Sequence, residues 1–279
     1  MQFKKFASLL VAAGLAVALT GCGEDKKETA AAAAPAAKPA EVTELSIGAS
    51  PVPHADILKF VAPALEKQGV KLKVIEFSDY VKPNLALADK EIDANFFQHK
   101  PYLDEFSKSR GLKLEVLVAT HLEPMGVYSK KVKNVADLPN GAQIAIPNDP
   151  TNGGRALKVL ESAGLIKVKP EAGVLATVAD VTDNPKRVKF VEVEAAQAPR
   201  SLQDVDAAVI NSNFALGAGL NPTKDAIAVE SKDSPYANIV VVREGDHREA
   251  LQKLKAALTT PEVKKFIEEQ YKGAVLPAF

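Results

Sequence analysis

The sequence predicts an α/β protein of two lobes, each built on a doubly wound sheet, from three features. Strand-like and helix-like patterns alternate with short links, which is the order of parallel βαβ units. The alternating body spans residues 44–279, or 236 residues, long for one small core and short for two full-sized domains. Its strands fall into two successive sets, with Met125–Ser129 and Asn238–Arg243 placed where the chain would cross between lobes. The expected division is 44–126 plus 238–279 for lobe 1 and 127–237 for lobe 2, joined by a two-strand hinge.

The chain before residue 44 has no such pattern. Lys4 and Lys5 precede an apolar run from Phe6 to Leu19, which fits a secretory leader and is shorter than the roughly 20 residues of a membrane span. The run ends in Leu19-Thr20-Gly21-Cys22, which resembles the bacterial lipobox, in which the cysteine is acylated and becomes the first mature residue. Residues 1–21 are therefore read as a signal peptide and Cys22 as the lipidation site. The Ala/Pro-rich stretch up to residue 43 cannot bury a face and reads as a tether. A flexible tether of that length spans on the order of 25 Å.

Within the body, Leu45–Ala49 reads as a strand and about Pro53–Lys67 as a helix, with Ile57, Leu58, Val61 and Leu65 on one face and Gly69 as its stop. Lys71–Phe77 is the next strand, then a helix at Tyr80–Asp89 and a strand at Ile92–Gln98. A helix near Pro101–Arg110 and a strand at Leu114–Thr120 complete the first set. The second set has strands at Gln143–Pro147, Val188–Val193 and Ala207–Asn211, with helices near Thr151–Ala163 and Pro199–Gln203. Asn238–Arg243 is a continuous apolar strand. Two helices close the chain, the last with Thr260 as N-cap and Pro261 in its first turn.

Composition narrows the function. Basic and acidic residues balance at 35 each, which argues against a nucleic-acid partner. A single cysteine excludes a disulfide framework. The sequence has no Gly-x-Ser-x-Gly elbow and no phosphate loop, and Gly217-Ala-Gly219 lacks the setting of a dinucleotide site. His54, His99, His121 and His247 show no metal-ligand spacing. The expectation is a binding module with no catalytic residues, no cofactor and no metal.

Three constellations carry binding chemistry. Phe77, Tyr80, Phe96, Phe97, Tyr102 and Phe106 cluster around His99. Phe77, Phe96 and Phe106 read as core. Tyr80, Phe97, His99 and Tyr102 lie at or just past strand ends and read as walls of an apolar pocket. Phe96 and Phe97 alternate faces of one strand, so one can be core and the other pocket. The segment Pro147-Asn-Asp-Pro-Thr-Asn-Gly-Gly-Arg155 follows a strand and opens a helix, a setting for an anion. Gly153 and Gly154 permit close backbone approach, and Arg155, one of six arginines, offers a two-bond fork for a carboxylate. The alternative is a capped helix with a surface arginine. Asn211-Ser-Asn-Phe214 and Asn238 place amides at strand ends, suited either to a zwitterion or to ordinary turns.

At these residues the chain resembles the methionine-binding lipoproteins of the MetQ/NlpA type. The likeness is carried by the lipobox, Gly48-Ala-Ser-Pro-Val-Pro-His54, Phe96-Phe-Gln-His99, Pro101-Tyr102-Leu103, the run from Glu123 to Lys130, the run from Pro147 to Leu157, and Pro235-Tyr-Ala-Asn238. It implies a type II periplasmic-binding-protein fold, held to a membrane of the cell envelope by lipid. It further implies delivery of methionine, L or D, to the permease and ATPase subunits of an ABC importer. Tyr80, Phe97, His99 and Tyr102 then match the side-chain pocket. Arg155 with Asn152 matches the carboxylate end, and Asn213 and Asn238 complete the polar end. This set holds no acid for an ammonium group; Asp149 and Glu123 are the candidates, and the sequence places neither. The competing readings are a receptor for a methionine-containing dipeptide or another small amino acid, a surface interaction lipoprotein without transport, and a hydrolase on the same scaffold.

Overall fold

The computed structural model describes residues 42–279. The leader, Cys22 and all but the end of the tether lie outside the described residues. In chain order the elements are β1 (Thr43–Ala49), α1 (Asp56–Glu66), β2 (Val70–Glu76), α2 (Lys82–Ala88), β3 (Ala94–His99), α3 (Lys100–Arg110), β4 (Leu114–Leu122) and β5 (Gly126–Tyr128). Next come β6 (Gln143–Pro147), α4 (Pro150–Ser162), β7 (Lys167–Val168), β8 (Val181–Asp183), β9 (Lys189–Val193), α5 (Ala198–Ser201), β10 (Ala207–Ile210) and α6 (Ser212–Gly217). The chain ends with β11 (Ala226–Val229), β12 (Ala237–Arg243), α7 (Glu249–Leu258), α8 (Pro261–Tyr271) and β13 (Leu276–Pro277).

Two main sheets form. The first has the order β13–β4–β12–β3–β1–β2 and the second β11–β5–β10–β6–β9. The parallel pairing expected from the strand–helix alternation holds for β1 with β2 and β3, and for β6 with β9 and β10. It does not extend through either sheet: β12 runs antiparallel to β3 and β4, and β5 antiparallel to β10 and β11. These two are strands that arrive from the other sheet; the short edge strand β13, which follows α8, also runs antiparallel to β4. The chain leaves the first sheet at the end of β4 and returns beside that same end, with Ala237 opposite Leu122. Gly126, the first residue of β5, likewise meets Ile210, the last of β10. A strand that starts where the parallel strands finish has to run against them.

Each sheet is covered on both faces, which explains the continuous apolar strands. In β12, Val240 and Val242 join the core under α1, α7 and α8, while Ile239 and Val241 join Leu87 and Leu103 on the opposite face. In the second sheet, Ile144, Ile146 and Val209 pack with Leu157 and Leu160 of α4, and Ala145, Ala208 and Ile210 face Ala198, Leu202 and Ala215. The α8 N-cap forms as read, with the Thr260 hydroxyl accepting from the Val263 N–H. The helix expected from Tyr80 starts at Lys82, because the Asp79 carboxylate accepts the Val81 and Lys82 N–H groups and makes a turn first. The Asn211–Phe214 segment does not stay extended after its strand: it forms α6, with Asn213 in its first turn.

Candidate functional site

The ends of the parallel strands, the starts of the helices that follow them and the start of β12 enclose a narrow cavity between the two sheets. All eight residues singled out from the sequence line it. The first sheet contributes Tyr80 from the loop after β2, Phe97 and His99 from the end of β3, Tyr102 from the first turn of α3, and Asn238 from the start of β12. The second contributes Asn152 and Arg155 from α4 and Asn213 from α6.

One end is aromatic. The rings of Tyr80, Phe97 and Tyr102 lie 5.8–6.0 Å apart pairwise, the spacing of edge and tilted aromatic contacts. Alternation on β3 separates Phe97 from Phe96, which belongs to the core. Phe77 is partly buried in the core of the first sheet, and Phe106 lies behind the wall, stacked on Tyr102. The Tyr102 hydroxyl donates to the Tyr80 carbonyl at 2.7 Å, and the Tyr80 hydroxyl crosses to Asn213 Oδ1 at 2.5 Å. Burial raises the pKa of both tyrosines, so both stay protonated donors.

The other end is polar, and its hydrogen bonds separate free groups from committed ones. Asn152 is fully committed. Its Nδ2 donates to both Asp149 oxygens, and its Oδ1 accepts from His99 Nε2 at 3.1 Å and Asn211 Nδ2 at 2.7 Å. His99 Nδ1 accepts the Tyr102 N–H, which fixes the Nε2–H tautomer. Burial, with the Arg155 charge adding to it, lowers the His99 pKa to about 3, so the ring is neutral.

Two details depart from the sequence reading of this segment. The N-terminus of α4 is capped by the chain's own Asp149, which accepts the Asn152 N–H, so it is not open to an anion. Gly153 and Gly154 serve chain packing: a Cβ on Gly153 would press on the Pro147 carbonyl, and one on Gly154 on the Val174 carbonyl. Arg155 is buried but not wholly available. Its Nε and Nη2 grip Glu230 at 2.9 and 2.5 Å, and Nη2 also donates to the Glu123 carbonyl at 2.8 Å. Its guanidinium lies over Tyr236 at 4.3 Å. Only Nη1 makes no bond among the described residues.

The acid missing from the sequence reading is Glu123, 4% exposed and lining the cavity. Burial raises its pKa, opposed by His54, Arg155 and the Asn213 N–H. Its Oε1 lies 2.9 Å from His121 Nε2 and 3.2 Å from His54 Nε2. His54 Nε2 also meets Asn238 Oδ1 at 2.9 Å. Asn211, named from the sequence only within the Asn211–Phe214 segment, keeps a buried Oδ1 with no partner among the described residues. Glu230 was missed as well. Nothing local marks it, because it meets Arg155 only through the pairing of β11 with β5.

The cavity thus carries donors at Arg155 Nη1 and the amides of Asn213 and Asn238, acceptors at Glu123 and Asn211, and an aromatic wall opposite. The match to known proteins is extensive. The chain fits the NlpA lipoprotein family over residues 45–279. It is 42% identical over 279 residues to the D-methionine-binding lipoprotein MetQ of Escherichia coli (strain K12), covering 99% of this chain and 98% of that protein. A nutrient binding protein from Burkholderia cenocepacia, solved bound to methionine, is 50% identical with a TM-score of 0.82, covering 84% of this chain and 100% of its own. An ABC transporter periplasmic substrate-binding protein from Coxiella burnetii is 43% identical with a TM-score of 0.80, again covering 84% of this chain and 100% of its own. By sequence and by fold, this chain belongs to the NlpA lipoprotein family.

Proposed function

We propose that this protein is a lipid-anchored substrate-binding protein that captures methionine between two lobes, 44–126 plus 238–279 and 127–237, and delivers it to an ABC importer. One observation carries the reading: a buried cation and a buried carboxylate face the same cavity as a three-ring aromatic wall. An amino acid takes the one free Arg155 nitrogen with its carboxylate, gives Glu123 a cation and fills the apolar end at once. Its carboxylate takes Arg155 Nη1 with the amides of Asn213 and Asn238. Its ammonium takes Glu123 and the unpartnered Asn211 Oδ1, which would otherwise remain a costly buried acceptor. The side chain lies among Tyr80, Phe97, His99 and Tyr102, where a thioether gains about 0.3–1.5 kcal/mol from each aromatic contact. Asn152 acts through His99 and Asn211, holding both in place.

Relatives bearing methionine-binding and transporter names support this assignment. Release of the ligand to the permease, driven by its ATPase subunits, follows from it, as does anchoring through acylated Cys22 at the cell envelope. The arrangement requires no catalysis: no nucleophile with an adjacent base faces the cavity among its lining residues. The test is calorimetric titration of the purified protein with L-methionine, D-methionine, a methionine dipeptide, norleucine and acidic amino acids. Methionine should bind with one-to-one stoichiometry and acidic amino acids should not. Absence of binding by every methionine-containing compound would refute the assignment.

A further inference from the structure

We propose that His54, His121 and Glu123 form a binding site for a divalent transition ion of the zinc class, adjoining the amino-acid cavity through Glu123. Two imidazoles and one carboxylate are a common donor set for such ions. The three donor atoms lie within 4.8 Å of one another. The two nitrogen–oxygen separations, 2.9 and 3.2 Å, are close to the edge of a zinc coordination tetrahedron, about 3.3 Å for bonds of about 2.0–2.1 Å.

The hydrogen bonds around His121 point the same way, while ligation by His54 Nε2 would displace its 2.9 Å contact with Asn238 Oδ1. Thr120 Oγ1 lies 2.8 Å from His121 Nδ1 and 3.3 Å from the Asn238 carbonyl. A hydroxyl has one proton, so both contacts are satisfied only if Thr120 donates to the carbonyl and accepts from His121 Nδ1–H. That tautomer turns a bare Nε2 lone pair toward Glu123 Oε1, two acceptors face to face at 2.9 Å. Either a metal cation or the proton of a neutral Glu123 carboxyl resolves the conflict, and the titration below separates the two. With a metal there, the Thr120–His121 bond becomes the outer support that ligating histidines usually have. Because Glu123 also lines the cavity, a fourth ligand has access from that side.

A second consequence rests on the proposed amino-acid function. A metal ion and the ligand ammonium both claim Glu123, so each should weaken the other by the same factor.

The experiment uses the full chain in detergent, stripped with EDTA and dialysed. Zn²⁺ is titrated by calorimetry, and Co²⁺ by the visible absorption of its low-coordinate complexes. One equivalent should bind. His121→Gln and Thr120→Val should each weaken binding by about tenfold or more, and thermal melts confirm that each variant is folded. His247→Gln, which alters a histidine with a 71% exposed side chain, should change nothing. No binding, binding untouched by both cluster variants, or binding lost in His247→Gln would overturn the site. Methionine titrated with EDTA present and then with saturating Zn²⁺ separates the two claims. Binding only in EDTA supports the competition, and equal binding in both refutes it. Methionine binding without any Zn²⁺ binding removes the metal site and leaves the amino-acid reading intact. Failure of methionine to bind even in EDTA removes the amino-acid reading alone.

Discussion

Arg155 is held by three bonds before any ligand arrives, and its role is therefore double. Arg155→Ala should lower methionine affinity by at least tenfold, since breaking a buried charged pair costs about 3–5 kcal/mol and tenfold needs about 1.4. It should also destabilise the unliganded fold, because Glu230 loses its partner. Arg155→Lys should recover little of either, since an ammonium cannot span Glu230 and the Glu123 carbonyl while still facing the cavity. Calorimetry and urea denaturation check both halves, and wild-type affinity in Arg155→Ala would exclude the carboxylate role. Phe97 makes the complementary case. It packs with Tyr102 and Phe106 outside the main cores, whereas Phe96 beside it is central. Phe96→Ala should therefore cost about 3–5 kcal/mol of stability and Phe97→Ala distinctly less. Wild type should prefer methionine to norleucine, and Phe97→Ala should narrow that gap. Equal stability losses, or unchanged discrimination, would show that Phe97 is not a pocket wall.

The helix α4 links packing to the site. Asp149 caps it, Asn152 and Gly153 lie in its first turn, and Gly154 and Arg155 follow directly. Gly154→Ala would push a methyl group against the backbone of Val174 and Ala176, which cannot yield as a side chain would. We expect a loss of about 1–3 kcal/mol, the usual penalty for overpacking. Affinity should fall too, because the helix carries Arg155 with it. Denaturation and titration of this variant give the answer, and an unchanged urea midpoint would show that the segment around Val174 is free to move aside. The crossing strands act at the same scale. Glu123 immediately precedes the passage from β4 to β5, and Asn238 opens β12, so the two crossings place a carboxylate and an amide side by side, joined through His54.

For the whole molecule, pH is the revealing variable. Burial holds the pKa of His54 at about 4 and of His99 and His121 at about 3, against 6.5 for an exposed ring. Between pH 6.5 and about 3 the unfolded chain takes up protons that the native protein refuses. The corresponding stability is complete above pH 6.5 and is lost as pH falls through that window. Glu123 works in the opposite sense. Its native pKa lies above 4.5, so its contribution is lost as pH rises through that value. Asp149, its pKa also raised by burial, acts with Glu123, so three imidazoles oppose two acids, and the melting temperature should drop from pH 7 to pH 4. A flat or rising profile would mean that the three imidazoles are not held neutral by burial.

Much was legible from local pattern. Strand–helix alternation gave the α/β class, and strand-end position separated Phe97 from Phe96, because a residue's face on a strand follows from its parity alone. Tyr80, Phe97, His99, Tyr102 and Arg155 were legible for a related reason: in parallel α/β units the strand ends and the helix starts after them gather on one side of the sheet, whereas Asn152 and Asn213 were marked by the family resemblance. The sequence could not show that both sheets contain antiparallel strands, since that depends on where a chain re-enters a sheet it has left. Nor could it show that Arg155 is shared with Glu230, that Asp149 already caps α4, or that His54 meets His121 and Glu123. The Glu230 and His54 contacts join segments remote in sequence that meet only when each sheet and its helices assemble. The Asp149 cap spans three residues and competes locally with the anion that the helix start was expected to take. Local chemistry chose which residues are fit to bind; the tertiary structure decided which of their atoms remain free to do so.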